Sequence, residues 1–131
     1  AFYTILVEGD DMNEPIADHA RSILDGHIVL SRDLAAKNHY PAIDVPHSVS
    51  RLMTNLVGEE QKQAAGKMRE VIARYSEAED LINIGAYVKG SNPKIDYAMS
   101  KIDQVNNFLR QGTFEKISFE ETVQKLLAIF R

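Results

Sequence analysis

The spacing of the histidines, glycines, lysines and serines in this sequence excludes several common catalytic sites. The four histidines form neither an i, i+4 pair nor a His-Glu-x-x-His set, so we expect no zinc site and only surface or half-buried side chains at His19, His27, His39 and His47. No Gly-x-x-x-x-Gly-Lys-Ser/Thr loop is present to cradle a phosphate, and no Gly-x-Ser-x-Gly turn presents a nucleophile. Because cysteine is absent, neither a disulfide nor a thiolate metal ligand is expected.

Carboxylates cluster near the start of the sequence, at Glu8, Asp10, Asp11 and Glu14. A calcium loop needs alternating ligands, a central glycine and a distal glutamate, and this spacing does not supply them. The residues alone therefore indicate a solvated acidic turn, and no metal site is predicted.

Three further residues stand out in the sequence, one aromatic and two basic. Tyr40 precedes a proline and offers an aromatic face that suits any flat base. Arg51 closes the run Ser-Val-Ser-Arg, and a planar guanidinium suits phosphate oxygens. Taken alone, however, the residues favour a structural arginine paired with a carboxylate, and a core tyrosine is nearly as good an interpretation. Arg32 lies two residues after the strand-like segment 27–30 and is predicted to be structural.

The elements that must position these side chains change in character along the chain. Residues 2–7 are apolar, aromatic and β-branched, which predicts a buried strand of a parallel sheet. A short helix is expected over 15–24, a second buried strand over 27–30 and a helical turn over 34–37. This order indicates a piece of an α/β layer. Because nothing precedes the first strand to cover it, we expect the sequence to be a fragment.

From Gly58 onward, apolar residues recur at helical spacing. The pattern predicts a long helix over 59–84, either continuous or broken near Asp80. A second helix is expected to start at Pro93, with Asn92 as its N-cap. A third helix is expected after Ser118, which forms a capping box with Glu121. These three helices should pack as an antiparallel bundle.

Composition narrows the class of protein. A chain of 131 residues with 44% hydrophobic and 26% charged residues suits one compact domain or a small domain with part of another. The formal net charge of −4 gives no reason to expect nucleic acid or an anionic membrane as a partner. The sequence contains no run of 18 apolar residues, so no membrane span is predicted.

Taken together, three stretches of the sequence closely resemble one family. They are Gly9-Asp10-Asp11-Met12-Asn13-Glu14-Pro15, the segment from Ser22 to Arg32, and the segment from Asn38 to Met53 that includes Tyr40-Pro41 and Ser48-Val49-Ser50-Arg51. The family is the type III protein export ATPases of flagella and injectisomes, relatives of the catalytic subunits of rotary F-type ATP synthases. The resemblance spans nearly the whole chain and favours the flagellar branch. It implies that the chain is the C-terminal third of such an ATPase.

The resemblance implies a mostly α fold in two parts. Residues 1–57 would be the C-terminal portion of a RecA-like α/β nucleotide-binding domain, and residues 58–131 a C-terminal helical domain. The parent enzyme would hydrolyse ATP with Mg²⁺ to energise export of protein substrates. Because the phosphate-binding loop lies outside this sequence, the chain alone should neither hydrolyse ATP nor bind it tightly.

The same resemblance assigns roles to particular residues. Arg51 matches the arginine that reaches across a subunit interface to the neighbour's nucleotide, and Tyr40 matches the aromatic residue that stacks on the adenine. Phe119 lies where the helical domain of the rotary relatives contributes a second aromatic wall. Phe114 could fill that place instead, because residues 112–114 depart from the relatives' Pro-Phe. Phe119 also lies on the apolar face of the last helix, and a core position is the favoured interpretation for it.

Partners are implied in the same way. Asp10, Asp11 and Asn13 match a loop near the hexamer axis that touches the central stalk, and Gly90 lies in the turn that matches the lever-like tip of the helical domain. The family assembles as a homohexamer with a dimeric cytosolic regulator and docking export chaperone–substrate complexes. It is cytoplasmic and peripheral, at the inner face of the membrane export gate, with no nucleic-acid partner.

Two other functions remain open from the sequence. The chain could be a non-catalytic docking module for export chaperones or for the stalk. It could also belong to a rotary ATP synthase subunit, which residues 12–15 and 22–27 disfavour.

Overall fold

The computed structural model describes all 131 residues and is mostly helical, as the sequence predicts. A 3₁₀ turn at Glu8–Asp10 is followed by helix α1 (Pro15–Ile23), strand β1 (Gly26–His27), helix α2 (Arg32–Ala36), strand β2 (Val49–Ser50) and helix α3 (Met53–Leu56). Three longer helices complete the chain, and they are α4 (Glu59–Asn83), α5 (Pro93–Leu109) and α6 (Phe119–Ile129).

Side-chain caps fix the starts of two of the three short helices in the first part of the chain, α1 and α2. At α1 the Glu14 carboxylate accepts a hydrogen bond from the backbone N–H of Ala17 at 2.6 Å. At α2 the Ser31 hydroxyl accepts one from the N–H of Leu34 at 3.4 Å. Each cap satisfies a backbone donor that the first helical turn leaves without a partner. Helix α1 begins at Pro15 as predicted, whereas α2 begins two residues before the helical turn predicted over 34–37.

A two-stranded antiparallel sheet pairs β1, which follows α1, with β2, which precedes α3. Its residue pairs are Gly26 with Ser50 and His27 with Val49. Pairing at these positions places Arg51, the next residue after β2, beside the C-terminal end of α1.

The strand predicted over residues 2–7 is absent from the structure. No strand pairs with this segment, and its apolar side chains are largely exposed, with Phe2 fully so and Leu6 at 92%. The prediction is wrong here because an extended segment needs a neighbouring strand to take its N–H and C=O groups. The second predicted strand is likewise reduced to two residues, and Ile28 and Leu30 are exposed rather than buried.

The helical bundle follows its sequence signals closely. Helix α4 runs unbroken for 25 residues, so the alternative of a break near Asp80 is not found. At α5 the Asn92 side chain accepts from the N–H groups of Lys94 and Ile95, at 3.0 and 3.4 Å. At α6 the predicted capping box forms, with Ser118 and Glu121 each accepting from the other's backbone N–H. Helices α4, α5 and α6 all pack on one another, which confirms the predicted bundle.

One apolar core holds the bundle together. It is formed by eight buried residues, namely Ala64, Ala65, Met68, Val71, Ala98, Ile102, Val105 and Leu126. Val71 and Val105 are the largest side chains that are fully enclosed, and small alanines let α4 and α5 approach each other closely. No helix is both long enough and apolar enough to cross a lipid bilayer.

Contacts of mixed chemistry join the first part of the chain to the bundle. Val45 and Met53 pack against the bundle core, and the Lys37 ammonium lies 3.0 Å from the Glu79 carboxylate on α4. The carbonyl of Tyr40 accepts a hydrogen bond from the N–H of Gln111 at 3.0 Å. The loop that carries Tyr40 is therefore held directly against the segment between α5 and α6.

Gly66 offers a simple test of the long helix. It is exposed in the interior of α4, and a Cβ added there would meet no atom within 4 Å. Gly66→Ala should therefore stabilise the chain by about 1 kcal/mol, because alanine loses less backbone entropy in a helix. Urea unfolding followed by circular dichroism measures the change. Gly85→Ala is the matched control and should destabilise, since Gly85 has φ +71°. A loss of stability in Gly66→Ala would contradict the packing described for α4.

Candidate functional site

Arg51 lies on the surface and rests on the end of helix α1. Its guanidinium Nη2 donates to the carbonyl oxygens of Arg21 and Ser22, at 3.3 and 3.4 Å. Its backbone N–H donates to the carbonyl of Asp25 at 2.8 Å. A cation beside the last carbonyls of a helix is favoured by the negative end of the helix dipole. None of the ion pairs in the structure involves Arg51, so the carboxylate partner of a structural arginine is not present.

Arg21 organises the acidic loop that precedes α1. Its Nη2 donates to the carbonyl of Met12 at 2.7 Å, to Asn13 Oδ1 at 3.3 Å and to Asp18 Oδ1 at 3.2 Å. Within the loop, Asp11 Oδ1 accepts from the N–H of Asn13 at 3.0 Å. The loop is therefore tied to the same helix on whose end Arg51 rests.

Arg32 forms an ion pair with a carboxylate of the acidic loop. Its Nε lies 3.0 Å from Asp10 Oδ2, and both side chains are largely exposed. The ion pair links the start of α2 to the acidic loop. Because the pair is well solvated, it contributes little to stability, about 0–1 kcal/mol for surface pairs in general.

Tyr40 lines an open cleft between the first part of the chain and the bundle. The cleft has a volume of about 420 Å³ and is bordered by Asn38, Tyr40, Arg110, Gln111, Gly112, Thr113 and Glu115. Tyr40 is 53% exposed, so it is not a core tyrosine. An exposed aromatic ring beside a guanidinium and backbone amides is a surface on which a flat, polar ligand can stack and form hydrogen bonds.

Phe119 is not brought together with Tyr40. It does not border the cleft, and it is 68% exposed at the first turn of α6 rather than buried in the bundle face. The expected core position of Phe119 is therefore not found. Phe114 is 95% exposed and directly follows Thr113 at the edge of the cleft.

His39 is the one buried polar residue, although the sequence predicts only surface or half-buried histidines. It is 5% exposed and precedes Tyr40 in the loop that packs on the bundle. Burial, and secondarily the nearby Arg110 charge, lowers the pKa of His39 below its usual value of 6.5. The imidazole is therefore neutral at pH 7, which suits a side chain enclosed at this junction.

Gly90 lies at the tip of the hairpin between α4 and α5. Its φ of +92° suits glycine, and its N–H donates to Asp96 Oδ2 at 2.9 Å. The Tyr87 hydroxyl donates to Asp96 Oδ1 at 2.9 Å, so one carboxylate fixes both sides of the turn. The tip also exposes Ile84 and Val88, at 76% and 70%.

Sequence reasoning passed over three residues that the structure makes prominent. Arg21 and His39 carry no motif, and nothing in their spacing signals a buried or multiply bonded side chain. Gly26 directly precedes the strand predicted over 27–30, and a glycine at such a position can mark close approach of two backbones. No group of three or more histidine or acidic side chains is placed to hold a metal ion.

Comparison with protein families defines the class. Residues 57–128 match the family described as the T3SS EscN ATPase C-terminal domain, and residues 1–50 match the nucleotide-binding domain of the ATP synthase alpha/beta family. The chain therefore belongs to the type III secretion ATPase family and corresponds to its C-terminal region, as the sequence resemblance indicates.

Relatives come from both branches of that family. The flagellum-specific ATP synthase of Bacillus subtilis is 52% identical over 129 residues, and the type 3 secretion system ATPase of Sinorhizobium fredii is 54% identical over 123 residues. These alignments cover 98% and 94% of this chain but 30% and 27% of the two relatives. The chain thus spans less than a third of the length of the relatives it matches.

Solved structures agree with the fold. The assembled ATPase EscN from enteropathogenic E. coli matches with a TM-score of 0.92 at 46% identity, covering 97% of this chain and 31% of that one. EscN in complex with its central stalk EscO gives 0.82 at 45%, covering 88% and 28%. The ATP synthase subunit NeqB from Nanoarcheaum equitans gives 0.80 at 28%, covering 94% and 31%.

Proposed function

We propose that the chain is the C-terminal part of a homohexameric ATPase that hydrolyses ATP to energise type III protein export. The observation that carries the proposal is the close match to assembled EscN over almost the whole chain. We further propose that residues 1–57 complete a RecA-like nucleotide-binding domain and that residues 58–131 form the helical domain. The two family matches, which change over between residues 50 and 57, support that division.

Arg51 is proposed as the arginine finger that meets the nucleotide of the neighbouring subunit. Phosphoryl transfer spreads negative charge over the γ-phosphate, and a permanently charged, planar guanidinium can stabilise that charge with several donors. Two features support this role: the Arg51 side chain is exposed, and its guanidinium is held only by two long hydrogen bonds to carbonyl oxygens. Such bonds are readily exchanged for shorter, charge-assisted bonds to phosphate.

Tyr40 is proposed to stack on the adenine of the subunit's own nucleotide, with Phe119 or Phe114 as a second aromatic wall. The exposure of all three rings supports a role in binding rather than in the core. ATP and Mg²⁺ are the cofactors of the proposed parent, and ATP would present its base to this cleft. Because the phosphate-binding loop is not in this sequence, the chain by itself should be inactive and should not bind ATP tightly.

The acidic loop and the hairpin tip are proposed as contacts for a central stalk. Asp11 is exposed in the loop, while Asp10 and Asn13 are oriented by two arginines. Gly90 lies in a tip that is fixed by one carboxylate. The solved complex of EscN with its central stalk EscO supports this partner. A dimeric regulator, export chaperone–substrate complexes and a cytoplasmic position at the inner face of the membrane export gate are proposed from the family.

A second function is favoured by one feature, the exposed apolar residues at the hairpin tip. Ile84, Val88 and the 49%-exposed Leu81 offer a surface for a protein partner, which suits a non-catalytic docking module for export chaperones or the stalk. A phosphate-binding loop upstream in the same gene product would favour the enzyme, and its absence would favour the docking module. Assignment to a rotary ATP synthase is less favoured, because identity to the synthase subunit is 28%, against 46% to EscN.

A subunit-mixing experiment tests the proposed function. Full-length Arg51→Ala subunits are mixed with full-length subunits whose phosphate-binding loop is disabled, and ATP turnover is measured. We expect mixing to restore part of the activity, because at some interfaces an intact phosphate-binding loop then meets an intact Arg51. Each variant assembled alone is the matched control and should be nearly inactive. If mixed hexamers form, as shown by differently tagged subunits, and no activity returns, the finger does not act across the interface.

A further inference from the structure

We propose that Gly26 is a positioning residue for Arg51: it lets two backbones meet closely enough to fix the point from which the arginine side chain projects. The inference rests on the role proposed above for Arg51 and concerns how this chain holds that residue in place. Gly26 touches no reacting atom, so its effect on turnover would be indirect.

The evidence is the close approach of β1 to β2. A Cβ added at Gly26 would lie 2.8 Å from the carbonyl oxygen of Val49 and 3.5 Å from the Cα of Ser50. The first distance is shorter than real side-chain contacts, and the opposing atom belongs to the backbone rather than to a flexible side chain. Any other residue at Gly26 must therefore push β2 away from β1.

Movement of β2 reaches Arg51 directly. Arg51 follows Ser50, the partner of Gly26 in the sheet, and its N–H is bonded to the carbonyl of Asp25, the residue before Gly26. The guanidinium is also held by carbonyls a few residues earlier, at Arg21 and Ser22. Hydrogen bonds therefore hold both the backbone and the side chain of Arg51 to the segment that connects α1 to β1. We call this segment the Arg51 seat (residues 21–26).

The seat matters because a finger contributes to catalysis only at the correct distance from the phosphate. A misplacement of about 1 Å can reduce a rate about 10²-fold even when the group itself is unchanged. A side chain at Gly26 leaves the charge of Arg51 intact but displaces its origin. The expected consequence is a defect in turnover rather than in ground-state binding of ATP.

The test uses Gly26→Ala in the full-length hexameric parent, with Gly66→Ala as the matched control. For Gly26→Ala, kcat should fall by about 10–100-fold with KM for ATP nearly unchanged. Gly66→Ala makes the same chemical change at an open helical position and should leave kcat as it is. Equal kcat in Gly26→Ala and the unsubstituted parent overturns the inference.

A double-mutant cycle separates positioning from general structural damage. If Gly26 acts through Arg51, the double variant Gly26→Ala/Arg51→Ala should have the same residual ATP turnover as Arg51→Ala alone, measured over long incubations. A further reduction by the same factor would show that Gly26 acts on the fold or the assembly, and would overturn the inference. Should Arg51→Ala itself remain fully active, the proposed function fails first and the inference with it, so the two failures are distinguishable.

If Gly26→Ala does not assemble, hydrogen exchange in the unsubstituted parent tests the inference instead. The N–H of Arg51, which is bonded to the Asp25 carbonyl, should exchange far more slowly than in an unfolded chain. Slow exchange at Arg51 supports the seat. Exchange at the unfolded-chain rate means that the close pairing at Gly26 is not maintained, and the inference is then wrong.

Discussion

Replacing Arg51 by alanine in the full-length parent should reduce ATP turnover by roughly 10³–10⁵-fold, the range known for arginine fingers. Affinity for ATP should be nearly unchanged, because the guanidinium meets charge that develops mainly in the transition state. Steady-state kinetics give kcat, and calorimetry on the assembled hexamer gives the affinity. Because the Arg51 side chain is exposed, its removal should not prevent folding, and the loss of turnover would not reflect an unfolded chain.

Two control variants sharpen this expectation. Arg51→Lys should fail almost as badly, since an ammonium group keeps the charge but lacks the planar fork of donors. Arg32→Ala removes an exposed arginine that is paired with Asp10, and it should change stability more than kcat. Retention of most activity by Arg51→Ala in an intact hexamer would show that Arg51 serves only to hold the end of α1.

The helical bundle could be predicted from the sequence because its signals are local. Asn92 and Ser118 specify where α5 and α6 begin, and the apolar period specifies which faces meet in the core. Such signals act within a few residues, so they need no knowledge of distant segments. Phe119 shows the limit of this reasoning, because a helix that fits one side of a bundle still leaves its first turn exposed.

The first part of the chain was predicted less well because its structure depends on distant partners. Residues 2–7 have strand composition, but strand structure requires hydrogen bonds to another strand, and none pairs with them here. Whether a histidine is buried is also decided by which segments meet, and the loop carrying His39 lies far in sequence from Arg110.

At the candidate site, too, local sequence signals could be recognised but contacts between distant segments could not. The run that ends in Arg51 could be recognised from its residues, and the structure adds what the motif does not contain. Arg51 is held by carbonyl groups of α1, and those carbonyls belong to the helix that also anchors the acidic loop through Arg21. A side chain bonded to main-chain atoms leaves no signature in sequence, because any residue type supplies the same carbonyl.

Tyr40→Ala in the full-length parent should weaken ATP binding by about 5–150-fold, which corresponds to the roughly 1–3 kcal/mol that an aromatic side chain contributes by stacking on a base. The loss should appear in KM and in the dissociation constant, with kcat less affected, because the adenine contact is the same in the ground state and the transition state. The effect is therefore opposite in kind to that of Arg51→Ala. Titration with a fluorescent ATP analogue and steady-state kinetics measure both quantities.

Two matched variants decide whether stacking is the cause. Tyr40→Phe keeps the aromatic face and should bind ATP nearly as well as the unsubstituted parent. The defect of Tyr40→Ala would then be due to loss of the ring and not of the hydroxyl group. Tyr97→Ala makes the same truncation at a tyrosine of similar exposure, 47% against 53%, that does not border the cleft. It should leave KM unchanged. If Tyr40→Ala binds ATP as tightly as Tyr97→Ala does, the cleft beside Tyr40 is not the adenine site. The exposed rings of Phe114 and Phe119 then become the side chains to substitute next, since each can offer an aromatic face without Tyr40.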